Sequence, residues 1–340
     1  MTEPRSYYGQ PVLKQPVWSW EIPIYFFTGG LGGASAGLAY LSELRGDDQL
    51  ARRAWAAALA GLSVSPALLI SDLGRPARFL NMLRMFKITS PMSVGSWILM
   101  VSGTTTAVAA AHSWLKLFPR LSTLARPAAA LFGLPLSTYT AALIANTSVP
   151  AWHDARQLLP FVFGSGAGLS AGAACVLITP PEHATPARRL AIGAAVAELV
   201  LTEAMERRLG RQGRPYRQGA AARYGHVTRA CLTAGAALLV TRGGRSRAAA
   251  AVAGTALLAG AASARWSVFK AGTESAADPE YVLGEQRERT GLIGAPGAPV
   301  PGRLVSERSP PAAPTRCRRP LRCRAAPSAR ASTGHLPSGR

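Results

Sequence analysis

The sequence predicts an all-α polytopic membrane protein of about eight transmembrane helices, followed by a disordered C-terminal tail. Three observations predict it. Of 340 residues, 48% are apolar and only 16% are charged. The apolar residues come in uncharged blocks instead of recurring on one helical face. Five of those blocks, at 22–41, 54–71, 88–115, 127–151 and 157–181, reach the roughly 18 to 20 residues that a spanning helix needs. Five such blocks exclude a soluble two-domain protein of this length. A formal charge of +21 would mark a nucleic-acid binder among soluble proteins. Here the Lys and Arg lie between the blocks and in the tail, so the expected partner is membrane lipid and not nucleic acid.

Residues 1–21 form an N-terminal segment without the basic-then-apolar layout of a cleavable signal, and the block after it is too long for one. The first block therefore stays as a helix. Within it Gly29, Gly33 and Gly37 recur every four residues, a stripe that lets a neighbouring backbone approach closely. A phosphate-binding reading of the same glycines would need a preceding strand and water around it. Tyr7, Tyr8, Trp18, Trp20, Tyr25, Phe26 and Phe27 cluster at one end of this block, as in an interfacial aromatic belt or the lining of a pocket. Pro23, Pro66 and Pro135 interrupt helical hydrogen bonding in the first, second and fourth blocks. Such breaks are tolerated in membranes where neighbours or a cavity resatisfy the backbone, so they predict kinks around a cavity.

The second block ends on Asp72-Leu73-Gly74-Arg75-Pro76, a carboxylate and a guanidinium where a membrane-length segment meets water. Charges at bilayer depth are costly and are kept mostly where they face a cavity, a partner or a functional route. The plainer alternative is a helix end, with Asp72 as cap, Arg75 as headgroup anchor and Pro76 as the stop. Further on, 190–201 is interrupted by Glu198, with Glu203 just beyond, and 230–241 and 248–264 fall short on length. Together they bring the count to eight and give a transmembrane domain at 22–266. An extramembrane segment at 267–295 and a disordered Arg/Pro-rich tail at 296–340 follow. From residue 300 nine Arg face one Glu, with few large apolar residues, which is the composition of disorder.

Counted on alternating sides of eight spans, Lys and Arg number fifteen on the N-terminal side and eleven opposite, which leans both termini towards the cytoplasm. The four cysteines, Cys175, Cys231, Cys317 and Cys323, show no C-x-x-C spacing, so neither an iron–sulfur nor a zinc site is expected in this chain.

Reading on from Asp72, the chain reaches Ser90-Pro91-Met92-Ser93-Val94-Gly95-Ser96-Trp97 at the head of the third block. This combination resembles the NrfD-like family, the membrane subunits of polysulfide reductase and related molybdenum or multihaem enzyme complexes. Members carry a D-x-G-R-P turn followed by S-P-M-S-x-G-S-W. Trp18-Ser19-Trp20-Glu21-Ile22-Pro23, Thr138-Tyr139-Thr140, Ala145-Asn146-Thr147, Val149-Pro150-Ala151-Trp152-His153 and Ala276-Ala277-Asp278-Pro279-Glu280-Tyr281 agree with it. The resemblance covers about 18–289 and thins between 187 and 264. It implies two four-helix halves in the cell (plasma) membrane, not catalytic alone, that exchange electrons between a membrane quinone, menaquinone or ubiquinone, and an iron–sulfur ferredoxin-like subunit. A catalytic subunit carrying molybdopterin or a similar cofactor would lie beyond. No bound haem is expected, because His112, His153, His183, His226 and His335 fall in loops, in the tail or at block ends, not as facing pairs inside helices.

A quinone site needs an apolar slot, hydrogen-bond partners at two carbonyl oxygens, and a group that exchanges protons at one of them. Asp72 is the expected proton-exchange group, with Arg75 holding its carboxylate or steadying a reduced oxygen. The resemblance adds Glu21 and Tyr139 as candidates for carbonyl contacts. Asn146 and His153, beside Trp152, belong to the same side as Asp72 in an alternating topology, although a lone His without partner spacing also fits a solvated loop. Glu198 and Glu203 suggest a proton route or, equally, a span that ends at Glu203. Two other classes compete. A secondary transporter would show matching helix breaks in both halves, whereas Pro23, Pro66 and Pro135 have no counterparts in the second. A plain anchor would tether catalytic subunits without touching quinone.

Overall fold

The computed structural model describes residues 13–14, 16–279 and 281. The tail at 296–340, with Cys317, Cys323 and His335, lies outside the described residues, as do 1–12 and 282–295. Among the described residues eight long helices carry the fold: α1 (Glu21–Leu44), α2 (Asp48–Asp72), α4 (Pro91–Leu115), α5 (Pro119–Ala145), α7 (Leu159–Ile178), α8 (Thr185–Arg208), α10 (Gly219–Thr241) and α11 (Arg247–Ala277). Three short helices link them, α3 (Arg78–Arg84), α6 (Pro150–His153) and α9 (Arg214–Arg217). Proline punctuates the starts. It sits in the first turn of α4, α5, α6, α7, α8 and α9, where its missing N–H would have no helical partner anyway. The side chains of Asp47, Ser90 and Ser246 accept from the third residue on, capping α2, α4 and α11.

Among the described residues five helices, α2, α4, α5, α7 and α11, are long and apolar enough to cross a membrane. This set differs from the five full-length blocks of the sequence. Glycines dilute α1, so it drops out despite its 24 residues. The block at 248–264, too short by itself, is part of the 31-residue α11, about 46 Å long at 1.5 Å per residue. That helix runs unbroken past the boundary drawn at 266. Pro23 sits in the first turn of α1, where it breaks no helical bond, whereas Pro66 and Pro135 lie inside α2 and α5, which run on through them.

Helix α1 packs against α2, α5 and α7, and α4 packs against α5 and α2. In the second part, α7 packs against α8 and α11, and α10 against α11 and α8. The close approaches fall on glycine. A Cβ on Gly33 would strike the carbonyl oxygen of Gly133 in α5, and one on Gly61 would lie 2.7 Å from Thr28 O. Of the stripe read from the sequence, Gly33 thus serves close packing, together with Gly32, whereas a Cβ on Gly29 would make only ordinary contacts, the nearest at 3.6 Å. Gly37 faces open space.

The core divides by side-chain size. One cluster is largely alanine, with Ala36, Ala39, Ala54, Ala58, Ala173 and Ala191 among its members. The other is rich in rings, with Tyr25, Phe26, Trp152, Phe163, Tyr216 and Phe269. Small residues let backbones close up, whereas rings are bulky and pack edge to face, as Phe26 does on Phe163 at 5.8 Å. At the alanine end, Arg247 donates to Val176 O (3.1 Å) and Thr179 O (2.8 Å), and Arg53 to Ile178 O. These bonds satisfy carbonyls that the end of α7 leaves open.

Candidate functional site

At the ring-rich end a cavity of about 650 Å³ opens between α1, α2, α3, α4 and α5. Ile22, Phe26, Leu69, Met82, Met92 and Leu143 make most of it apolar, and Tyr25, Asp72, Ser96 and Tyr139 bring polar atoms to it. The two motifs of the sequence build its walls. Asp72 is the last residue of α2; Gly74 follows with φ +65°, a conformation that only glycine adopts without strain, and the chain turns through Pro76 into α3. Phe79 and Met82 of α3 then close over the cavity.

In the second motif Ser90 caps α4, while the Ser93 hydroxyl donates to Met85 O (3.0 Å) and accepts from Lys87 N (3.0 Å), pinning the loop after α3. Gly95 faces the Tyr139 ring so closely that any Cβ there would overlap its Cζ, Oη and Cε1 atoms. The glycine of S-P-M-S-x-G-S-W is therefore a seat for Tyr139. The Ser96 hydroxyl donates back to Met92 O at 2.8 Å, and Trp97 packs edge-on against Phe86 at 6.2 Å.

Beside the cavity, the Ser19 hydroxyl lies 3.0 Å from Asp72 Oδ1 and also bonds Glu21 Oε2. Ser71 donates to Glu21 Oε1 at 3.4 Å. Trp18 lines the cavity and stacks on the fully buried Trp152 at 5.7 Å, and Trp152 donates to Val268 O at 2.8 Å and packs on Phe269. A Cβ on Gly272 would overlap the Trp152 ring. The loop after α5 and the end of α11 are thereby locked beside the mouth.

The structure thus gathers Asp72, Tyr139 and, one hydroxyl away, Glu21. Arg75 is exposed, and among the described residues no ion pair joins it to Asp72. The expected Asp72–Arg75 partnership is not present, because the turn at Gly74 points the chain away before Arg75. Asn146 donates to Ala142 O at 2.8 Å, finishing α5, and His153 is exposed with Nδ1 3.3 Å from Ala145 O. Neither lines the cavity.

Glu198 and Glu203 part company as well. Glu203 is a surface residue paired with Arg207 at 2.7 Å and Arg229 at 3.7 Å. Glu198 is fully buried, 3.9 Å from Arg265 of α11, whose guanidinium donates to Phe163 O at 2.9 Å and lies 4.1 Å over the Phe163 ring. Both Glu198 oxygens lack a hydrogen-bond partner. Arg265, the charge directly after the block at 248–264, is an interior residue at 2% exposure. Glu198 also lines a cleft of about 450 Å³ that reaches Thr202, Thr228, Ser267 and Glu206. Glu206, unremarked in the sequence, is buried and paired with Arg229 at 2.7 Å and Arg217 at 3.5 Å. On the connecting helix α9, burial and then the Glu206 charge push the Tyr216 phenol above its ordinary range, so it stays a neutral donor to Ala151 O.

Among the described residues no three His, Cys, Asp or Glu side chains converge in the manner of a metal site. No curated protein matches the sequence. A family model described as polysulfide reductase, NrfD_2, matches residues 4–278, a stretch that takes in every helix from α1 to α11. With the apolar helices, that match makes the chain a multi-pass membrane protein. It belongs to the NrfD-type polysulfide reductase family.

Proposed function

We propose that this chain is the quinone-reactive membrane subunit of an oxidoreductase complex. It would exchange electrons between menaquinone or ubiquinone and an iron–sulfur ferredoxin-like partner that serves a catalytic molybdopterin-type subunit. The observation that carries this reading is one apolar cavity with Asp72 and Tyr139 on its wall, where α2 ends. Its lining has the character of small-molecule sites, mostly apolar with a few polar groups to fix orientation. Tyr139, held by Gly95, donates a hydrogen bond to a carbonyl oxygen of the ring. Asp72 takes up or returns the proton of the other oxygen, and Phe26, Leu69 and Leu143 exclude water from the ring and tail. The quinone supplies the two-electron chemistry; the chain binds, orients and moves protons.

The same reading makes α1, α2, α4, α5, α7, α8, α10 and α11 eight spans of the plasma membrane, in two four-helix halves. The neighbour relations favour it: α1, α2, α4 and α5 adjoin one another in a ring, and so do α7, α8, α10 and α11. Of the two acids considered for a proton route, Glu198 suits it, being buried against the cleft that leads to Glu206.

The test is Asp72→Asn in the assembled complex. Quinol-linked turnover should fall about 100-fold or more, as expected for a positioned proton acceptor, while a dye assay of the catalytic partner persists. Unchanged quinol turnover would leave the chain a plain anchor.

A further inference from the structure

We infer that Ser19 is a proton-relay residue that couples Asp72 to Glu21, so that the two carboxyl groups hold and pass on one proton as a unit. This rests on the quinol reading above and names the outlet of that site.

The argument starts from one hydroxyl between two acids. Ser19 Oγ reaches Asp72 Oδ1 at 3.0 Å and Glu21 Oε2 as well. A hydroxyl has one hydrogen and two lone pairs. It serves both oxygens fully only when it donates to one carboxylate and accepts from the other as a carboxylic acid. The bridge therefore favours the state in which one proton is shared along carboxyl, hydroxyl and carboxylate. Two like charges brought together by a common partner favour the same state. No cation offsets them: among the described residues neither carboxylate has a Lys, Arg or His partner. The other groups facing them are neutral, namely Ser71 on Glu21, and Tyr25 and Tyr139 on the cavity wall.

The placement gives the relay a direction. Asp72 lines the cavity, whereas Ser19 is exposed at the outer surface. A proton arriving on Asp72 is donated to Ser19 Oγ while Ser19 passes its own hydrogen to Glu21 Oε2. One proton enters, one leaves, and Ser19 is regenerated when its hydroxyl rotates back. Glu21, itself buried, passes the proton on to water beside the exposed Ser71 that bonds its other oxygen, and the cavity itself need not open to bulk solvent.

The experiment uses the full complex and a quinol analogue, with Ser19→Ala, Ser19→Thr and Glu21→Gln beside Asp72→Asn. In infrared difference spectra recorded on adding the analogue, the wild type should show a carboxylic-acid C=O band. That band should vanish in Asp72→Asn and in Glu21→Gln alike and shift in Ser19→Ala. Quinol turnover should drop about tenfold in Ser19→Ala, less than the ~10²-fold of losing the proton acceptor itself, and recover in Ser19→Thr. The dye assay reports assembly of each variant. A band lost only in Asp72→Asn, with Ser19→Ala turning over normally, would overturn the relay and leave the quinone site standing. Failure of the wild type to bind the analogue would remove the quinone site, and the relay with it.

Discussion

Replacing Gly95 by alanine tests whether the S-P-M-S-x-G-S-W segment exists to seat Tyr139. The added Cβ would overlap three atoms of the Tyr139 side chain, two of the ring and the phenol oxygen, so either Tyr139 rotates away or α4 and α5 separate. Overpacking of this kind costs about 1–3 kcal/mol. If the ring turns away, its hydroxyl leaves the cavity wall and one hydrogen bond of about 1 kcal/mol is lost, which weakens quinol binding about fivefold. Quinol KM and the thermal stability of the purified complex would be measured for Gly95→Ala, Tyr139→Leu and the double variant. The two side chains are in contact, so their effects should not add: once the ring is gone, the extra methyl should cost almost nothing more. Additive losses, or a Gly95→Ala protein with wild-type KM, would refute the seating argument.

Three further outcomes are expected. Arg265→Met should lower stability by about 3–5 kcal/mol by leaving Glu198 buried without a counter-ion, and Glu198→Leu in the same chain should restore most of it; thermal unfolding in detergent checks both. Gly33→Ala should loosen the contact of α1 with α5, because its Cβ meets the Gly133 carbonyl, and should cost about 1–3 kcal/mol, whereas Gly37→Ala, facing open space, should be silent in the same unfolding assay. Ser90→Ala should cost about 1 kcal/mol by uncapping α4.

How far the sequence discloses this molecule depends on the range of each interaction. Asp72 was legible because an acid at the end of an uncharged block stands out, and Tyr139 because of the family resemblance. The role of Gly95 was not, since its reason lies on α5, a distant part of the chain. Ser19 gives no signal at all: a serine ahead of an apolar block is ordinary until the fold sets it between two acids. Arg265 misled the block reading, because a charge seems to end a span when its partner on α8 is unseen. With Glu198 counted beside it, the helix runs on to Ala277. Glycines in α1 lower its apolar content for the same reason that they serve its packing. Reading Asp72 and Arg75 as a pair errs in the other direction, since residues close in sequence are not ion-paired in the fold.

Binding to the purified full-length chain is the most direct measure of whether the cavity takes a quinone. Titration with a quinol analogue, followed by quenching of tryptophan fluorescence, should saturate at one site through Trp18 at the mouth. It should weaken about fivefold in Tyr139→Phe, for the loss of one hydrogen bond. Absence of saturable binding, or binding equally strong when Tyr139 is replaced by phenylalanine and Asp72 by asparagine, would contradict the account.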